Sequence, residues 1–294
     1  MKALPGDPFT QEKALPKEIL QSLKTHYKLD APLLTQYGNY LFSLIKGDLG
    51  PSFKYKNRSV NEIIKTGFPI SLTLGLEAAC LALLAGIFLG TIAALRHRKW
   101  QDYVAMLLAV LGISLPSFIL AAFLQYLFAI KLDLFPVARW GTWQQSVLPA
   151  LSLAALPTAF IARLIRSNLL EVLNQDYIKL AKAKGLSNMR IILKHALRNA
   201  ALPVMTYLGM LAVNILTGSF VIEKIFGIPG LGQWFVNSVT NRDYTTIMGL
   251  TIFYSLILLA ASFLTDIAYV WIDPRIKLQK TSSKHVLKEK SDIT

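Results

Sequence analysis

One cysteine, Cys80, stands in a chain of 294 residues, which excludes a disulfide framework and a cysteine-based metal site. Charge is scarce too: 16% of the residues are charged, against about a quarter in an ordinary soluble domain. No Gly-x-x-x-x-Gly-Lys-Ser/Thr phosphate loop is present, so the chain lacks the usual backbone cradle for ATP. His-Glu-x-x-His and Gly-x-Ser-x-Gly are missing as well, which removes two common hydrolase signatures. The four histidines, His26, His97, His195 and His285, are far apart and read as solvated or interfacial rather than metal-binding. Met1–Asp7 has no apolar core of the kind a cleavable signal peptide needs.

What the chain does have is apolar length. Hydrophobic residues make up 53% of it, and five stretches are long enough to cross a bilayer: Pro69–Leu95, Tyr103–Ile130, Ser146–Ile165, Ala200–Ile222 and Thr245–Trp271. The expected class is a polytopic, all-α membrane protein. The net charge of +14 lies in the connections and tails, not in a nucleic-acid-binding face. Arg96, Arg98 and Lys99 occupy one connection, and eight basic residues occupy 163–199. Arg275, Lys277, Lys280, Lys284, Lys288 and Lys290 occupy the tail, whereas 131–145 and 223–244 hold two basic residues each. The positive-inside rule therefore places Arg96–Asp102, 163–199 and the C-terminal tail 272–294 in the cytoplasm.

By alternation, residues 1–68 are extracytoplasmic. Leu15, Ile19, Leu23 and Tyr27 share one helical face. A second amphipathic set is Leu33, Tyr37, Leu41 and Leu44, opened by Asp30 and Pro32 and closed by Gly47. A basic external segment with no preceding span is a poor insertion substrate, so an apolar span is expected ahead of Met1.

The connector Arg163–Pro203 has more structure than a topological link needs. Leu169, Leu173, Tyr177, Leu180 and Lys184 recur about once per turn, Gly185 supplies a left-handed stop, and Ser187 can cap a second helix. Such an elbow between two spans predicts a cytoplasmic partner.

Asp176-Tyr177-Ile178, Ala181-Lys182-Ala183-Lys184-Gly185-Leu186 and His195-Ala196-Leu197-Arg198-Asn199 resemble the cytoplasmic signature loop of ABC importer permeases. The branch resembled most is the dipeptide/oligopeptide/nickel group, in its B-type membrane subunit. Tyr37 to Gly50, Phe226 to Tyr244 and Asp273-Pro274-Arg275 resemble further segments of that group in the same order. Lys179 stands where the wider family's loop glutamate would be, six residues before Gly185. Pro5-Gly6-Asp7-Pro8 resembles the stretch that follows the family's first transmembrane helix.

The resemblance implies a type I importer transmembrane domain, with five of an expected six spans in 69–271. It implies a homologous second permease, two ABC ATPase subunits, and an extracytoplasmic substrate-binding lipoprotein as partners, besides membrane lipid. No cofactor is expected in this chain, since ATP and Mg would be bound by the ATPases. The cargo implied is a di- or oligopeptide, with nickel or a nickel chelate as the alternative.

A short helix over about Ala183–Arg190 is expected to seat in a groove of the ATPase. Ala181 and Gly185 would keep it slim, with Ala183 between them. Leu186 and Met189 would supply apolar contact, Lys182, Lys184 and Arg190 charge complementarity, and Tyr177 belongs to the same docking loop. Polar residues inside spans are the default pointers to a pathway, here Glu77, Gln125 and Asn214. Asp266, near the inner end of the last span, reads as interfacial. Gly227, Pro229, Gly230 and Gly232 shape the loop before the last span. By resemblance, that loop lies near the docked receptor together with Trp234 and Arg242. A self-contained secondary transporter or channel is the rival class; it predicts internal repeats with paired broken helices, and no convincing repeat is visible. An intramembrane enzyme needs a nucleophile–base pair within the spans, and none is evident.

Overall fold

Two long helices begin at capping boxes, at Ser59 and Thr142, and others end at glycine, as at Gly47, Gly185 and Gly227, or before proline, as at Leu115. A computed structural model describes residues 30–272 except 56, without the side chains of 206, 210, 212–214, 216–218, 266 and 268–272. The amphipathic set at Leu15, Ile19, Leu23 and Tyr27, the Pro5–Pro8 stretch, His26, His285, Asp273–Arg275 and the basic tail lie outside these residues. Among the described residues there is no strand, only an isolated bridge between Pro51 and Ser59.

Helix α1 spans Leu33–Ile45 and closes on Gly47, whose φ of 76° admits the left-handed turn. Leu33, Tyr37 and Leu41 are exposed, so α1 is not packed onto the spans through that face. Helix α2 spans Val60–Leu95, starting nine residues before the expected span at Pro69. Its early start follows from a capping box: Glu62 N donates to Ser59 Oγ (3.2 Å) and Ser59 N to Glu62 Oε2 (3.3 Å).

Helix α3, Trp100–Ser114, and helix α4, Ser117–Leu124 with a π-helical continuation Gln125–Lys131, correct the expected continuous span Tyr103–Ile130. Leu115 is extended (ψ 121°) because the following Pro116 disfavours helical backbone there, and the two halves meet at 109°. Helix α5 spans Trp143–Leu173, with Pro149 and Pro157 inside it. Helix α6 is Asp176–Ala183. Helix α7 is built from Asn188–Arg190, a π-helical Ile191–Ala196 and Leu197–Ala200. Helix α8 spans Leu202–Phe226, α9 Leu231–Thr240 and α10 Tyr244–Ile272. By length and composition, α2, α5 and Tyr244–Thr265 of α10 can each cross a membrane, and the bent pair makes up to four.

The packing has the inside-out character of helices in lipid. Along α2 the buried face is small: Gly67, Ser71, Gly75, Ala78, Ala82, Gly86, Gly90 and Ala93. Leu76, Leu84 and Phe88 point outward and are more than 60% exposed. The seam between α2 and α5 is set by two glycines. A Cβ on Gly86 would lie 2.7 Å from Ile161 Cβ, and one on Gly90 would lie 2.5 Å from the Ala162 carbonyl oxygen. Gly112 of α3 likewise faces the Ala155 carbonyl of α5 at 3.0 Å. Leu74, Leu148, Ile161, Ile165, Leu211 and Ile222 fill the centre between α2, α5 and α8.

Gly90→Leu should therefore lower thermal stability in detergent, since overpacking costs about 1–3 kcal/mol or more, whereas Gly38→Ala in α1, with open space around it, should leave the melting temperature unchanged or raise it.

The candidate functional site

The basic elbow is α6, a left-handed turn and α7. Helix α5 stops at Leu173; Asn174 Nδ2 donates back to the Leu170 carbonyl at 2.9 Å, and Gln175 turns extended before Asp176. Asp176 then places an acid in the first turn of α6, where the helix dipole favours it. At the other end Gly185 takes φ 72°. Gly185 N donates to the Lys182 carbonyl (3.0 Å) and Leu186 N to the Ala181 carbonyl (3.3 Å). This bond pair is a Schellman motif, and half-buried Leu186 completes it by packing towards Ala181.

Two expectations change here. No helix spans Ala183–Arg190; the helix is Asp176–Ala183, and 184–187 is the turn after it. A residue at φ 72° cannot lie inside a right-handed helix, so no helix runs through Gly185. Ser187 occupies the cap position before Asn188, but its side chain makes no capping bond. Slimness is not what the small residues provide either. Ala181 is buried against Leu169, Ile178, Ile191, Ala196 and Ala200, while a Cβ on Gly185 would meet nothing within 4 Å.

The elbow sits on the ends of α2 and α5, because Ala94 of α2 and Leu169 of α5 belong to the same buried cluster as Ile178 and Ala181. Its opposite face is free. Leu180 is 57% and Met189 65% exposed, and Tyr177 and Leu193 are exposed beside them. Lys182, Ala183, Lys184 and Arg190 of the same elbow are exposed as well. Asn199 Nδ2 donates to the Tyr177 hydroxyl at 2.7 Å, which fixes α7 against α6.

Beside the elbow lies a charge cluster that sequence reasoning missed. Asp102, in the first turn of α3, is buried at 3% exposure. Arg166 of α5 grips it with two bonds, Nε to Oδ1 (2.6 Å) and Nη2 to Oδ2 (2.8 Å). Arg98 N donates to Oδ2 at 3.0 Å, and His97 Nδ1 stands 3.2 Å from both Oδ2 and Arg166 Nη2. The available signal was an arginine at the very end of an apolar span.

The far end of α2 carries the outer-loop residues. Gly227 ends α8 with φ 61°, followed by a bond from Ile228 N to the Glu223 carbonyl (2.8 Å). Gly230 and Gly232 are buried rather than presented to a partner: a Cβ on Gly230 would clash with Glu223 and Ser71, and one on Gly232 would come 2.6 Å from Phe220 Cα. Glu223, with 0% exposure, accepts from Gly232 N (2.8 Å) and Gln233 N (3.3 Å), so its carboxylate caps α9 from another helix. Glu223 follows the expected span Ala200–Ile222 by one residue, so the search for polar groups inside spans does not single it out. Trp234 is covered by Tyr55 (ring centroids 4.9 Å apart) and Arg58 (5.3 Å), whereas Pro229 and Arg242 are exposed. Asp243, buried at the start of α10, accepts from Ser52 Oγ, Phe53 N, Thr246 N and Thr246 Oγ1 and so ties the segment before α2 to α10.

Of the pathway candidates, Glu77 is half-buried on α2, and Gln125 Nε2 donates to the Val137 carbonyl at 2.6 Å in the turn after its own helix. The Asn214 and Asp266 side chains lie outside the described residues.

The bundle, with its broken helix pair and the elbow at one end, has the fold of ABC importer transmembrane domains. The transmembrane chain of the methionine ABC transporter MetNI in an inward-facing conformation superposes with a TM-score of 0.62. It is 15% identical and covers 72% of this chain and 96% of that one. A solved amino acid ABC transporter gives a TM-score of 0.56 at 18% identity, over 71% of this chain and 94% of that one. Residues 86–278 match the family described as binding-protein-dependent transport system inner membrane component, and the chain belongs to that family. The dipeptide transport system permease protein DppB of Bacillus subtilis (strain 168) is 55% identical over 280 residues, 95% of this chain and 91% of that protein. The oligopeptide transport system permease protein OppB of Haemophilus influenzae is 47% identical over 279 residues, 94% of this chain and 91% of that protein. The chain is a permease subunit rather than an enzyme.

If Gly185 matters for its backbone and not for its slimness, Gly185→Asn should keep the elbow amides protected from hydrogen exchange. Gly185→Val should destabilise the turn by at least ~1–2 kcal/mol, because a side chain in the left-handed region costs about that much and a β-branched one more.

Proposed function

We propose that this chain carries di- or oligopeptides across the cell membrane as one half of an importer's transmembrane pathway. The names of the relatives above support peptide over nickel as cargo. The other half would be a homologous permease, and two ATP-binding subunits would hold ATP and Mg. An extracytoplasmic lipoprotein receptor would deliver the peptide at the α9 end, near Pro229 and Arg242. The concentration of Lys and Arg at the elbow and in the tail supports a cytoplasmic position for both.

The observation that carries this reading is the free face of the elbow. Tyr177, Leu180, Met189 and Leu193 are exposed apolar side chains of α6 and α7, and Lys182, Lys184 and Arg190 are exposed on the same elbow. Apolar side chains exposed together with charged ones are the anatomy of a protein–protein contact. One ATPase subunit docks there. Its movement on binding and releasing nucleotide displaces α6, and the cluster under α6 passes the displacement to α5 and α2. Peptide then moves along the interface of the two permeases; Glu77, Gln125 and Asn214 remain candidates for its lining.

Replacing both Leu180 and Met189 by Asp should abolish co-purification of the ATPase and cut uptake of a labelled peptide by about 100-fold or more, as expected for two lost hot-spot contacts. The amount of chain in the membrane should not change. Uptake at the wild-type rate by this variant would refute docking at the elbow.

A further inference from the structure

We propose that the Asp102–Arg166 pair is a coupling clamp that makes the α2–α3 corner and α5 one rigid arm driven by the elbow. The inference rests on the docking role proposed above, and it assigns the transmission of movement to two positioning residues outside the docking surface.

The first argument is geometric. Asp102 is almost fully buried, and both of its oxygens are engaged in a fork-to-fork pair with Arg166. Two parallel charge-assisted bonds fix orientation as well as distance. The Arg98 amide and His97 add the loop between α2 and α3 to the same carboxylate. One arginine on α5 therefore holds the end of α2, the loop and the start of α3 together.

The second argument is position. Arg166 lies on α5 between Ile165, which packs on Gly90 of α2, and Leu169, which lies in the cluster beneath α6. Gly86, Gly90 and Gly112 already bring α2 and α3 against the backbone of α5. Those contacts are close packing against side-chain carbons and backbone carbonyls of α5 and include no side-chain hydrogen bond or ion pair. The bidentate pair adds directional bonds at the end where the elbow pushes. Helix α3 leads into the 109° break and α4, so an arm locked at Asp102 carries the elbow's movement to the broken span.

The third argument is energetic. A buried ion pair is a poor device for stability alone, because apolar residues of similar volume often serve as well. Its directional geometry is what apolar residues cannot reproduce.

The test uses the complete importer, with partner permease, ATPases and receptor, reconstituted in vesicles. Asp102→Asn keeps the shape and removes the charge. It should leave the ATPases bound and hydrolysing ATP while peptide transported per ATP falls by about 10-fold, a typical coupling effect. The swap Asp102→Arg with Arg166→Asp should restore the ratio. An unchanged ratio in Asp102→Asn overturns the clamp and leaves docking intact. Failure of the wild-type chain to retain the ATPases would refute docking and this inference with it. Should the variants not accumulate, spin labels at Arg96→Cys and Glu171→Cys on a Cys80→Ala background decide the question with the pair intact. Their separation should stay fixed between nucleotide-free and ATP-bound states while each moves relative to a label at Thr240→Cys. A nucleotide-dependent change between the two arm labels overturns the proposal.

Discussion

The structure depends on the close approach of α2 and α5 at Gly86 and Gly90. Helices in lipid gain little from burying apolar side chains against one another, since lipid is as apolar as they are; association comes from intimate packing. Here the backbone of α5 comes so near that a single methyl group on Gly90 would strike the Ala162 carbonyl. That contact sets the ends of the two longest helices side by side and creates the floor of Ala94 and Leu169 on which the elbow rests. Leu76, Leu84 and Phe88 of α2, away from this seam, face outward.

The two ends of α2 are secured by different physics. At the elbow end a buried Asp–Arg pair joins α3 to α5 with directional bonds. At the opposite end the Glu223 carboxylate meets the N-terminus of α9, and Asp243 caps α10 while holding Ser52 and Phe53. Both of these carboxylates are fully buried, and each accepts hydrogen bonds from backbone amides at a helix start, where the dipole favours negative charge. Between these anchored segments in sequence, the chain breaks at Leu115–Pro116 with a bend of 109°.

Much of this was legible in the sequence, for reasons that also explain the limits. Apolar runs and charge placement gave the all-α membrane class, and the expected starts of α5, α8 and α10 fall within three residues of the observed ones. Gly185 announced the elbow because a left-handed stop is a local property of one residue. The helical spacing of Tyr177, Leu180 and Lys184 before Gly185 marks the helix that is found, whereas the second expectation, a docking helix over 183–190, runs through the glycine that ends it. The break at Pro116 was hidden in an unbroken apolar run, where periodicity does not separate a kink from a corner. Gly230 and Gly232 were read as loop-shaping residues near a receptor, yet close approach to Glu223 and Phe220 is what requires them. The Asp102–Arg166 pair spans 64 residues of sequence, and no local pattern encodes such a partner.

The central claim is that the elbow's free face is the seat of an ATPase. A photoreactive amino acid placed at Leu180 in the intact importer tests it directly. Irradiation should yield a covalent adduct between this chain and an ATP-binding subunit, and the same group at Leu259, exposed on α10, should not. An adduct pattern that is the same at both positions, or the lack of any ATPase adduct at Leu180, would contradict the account.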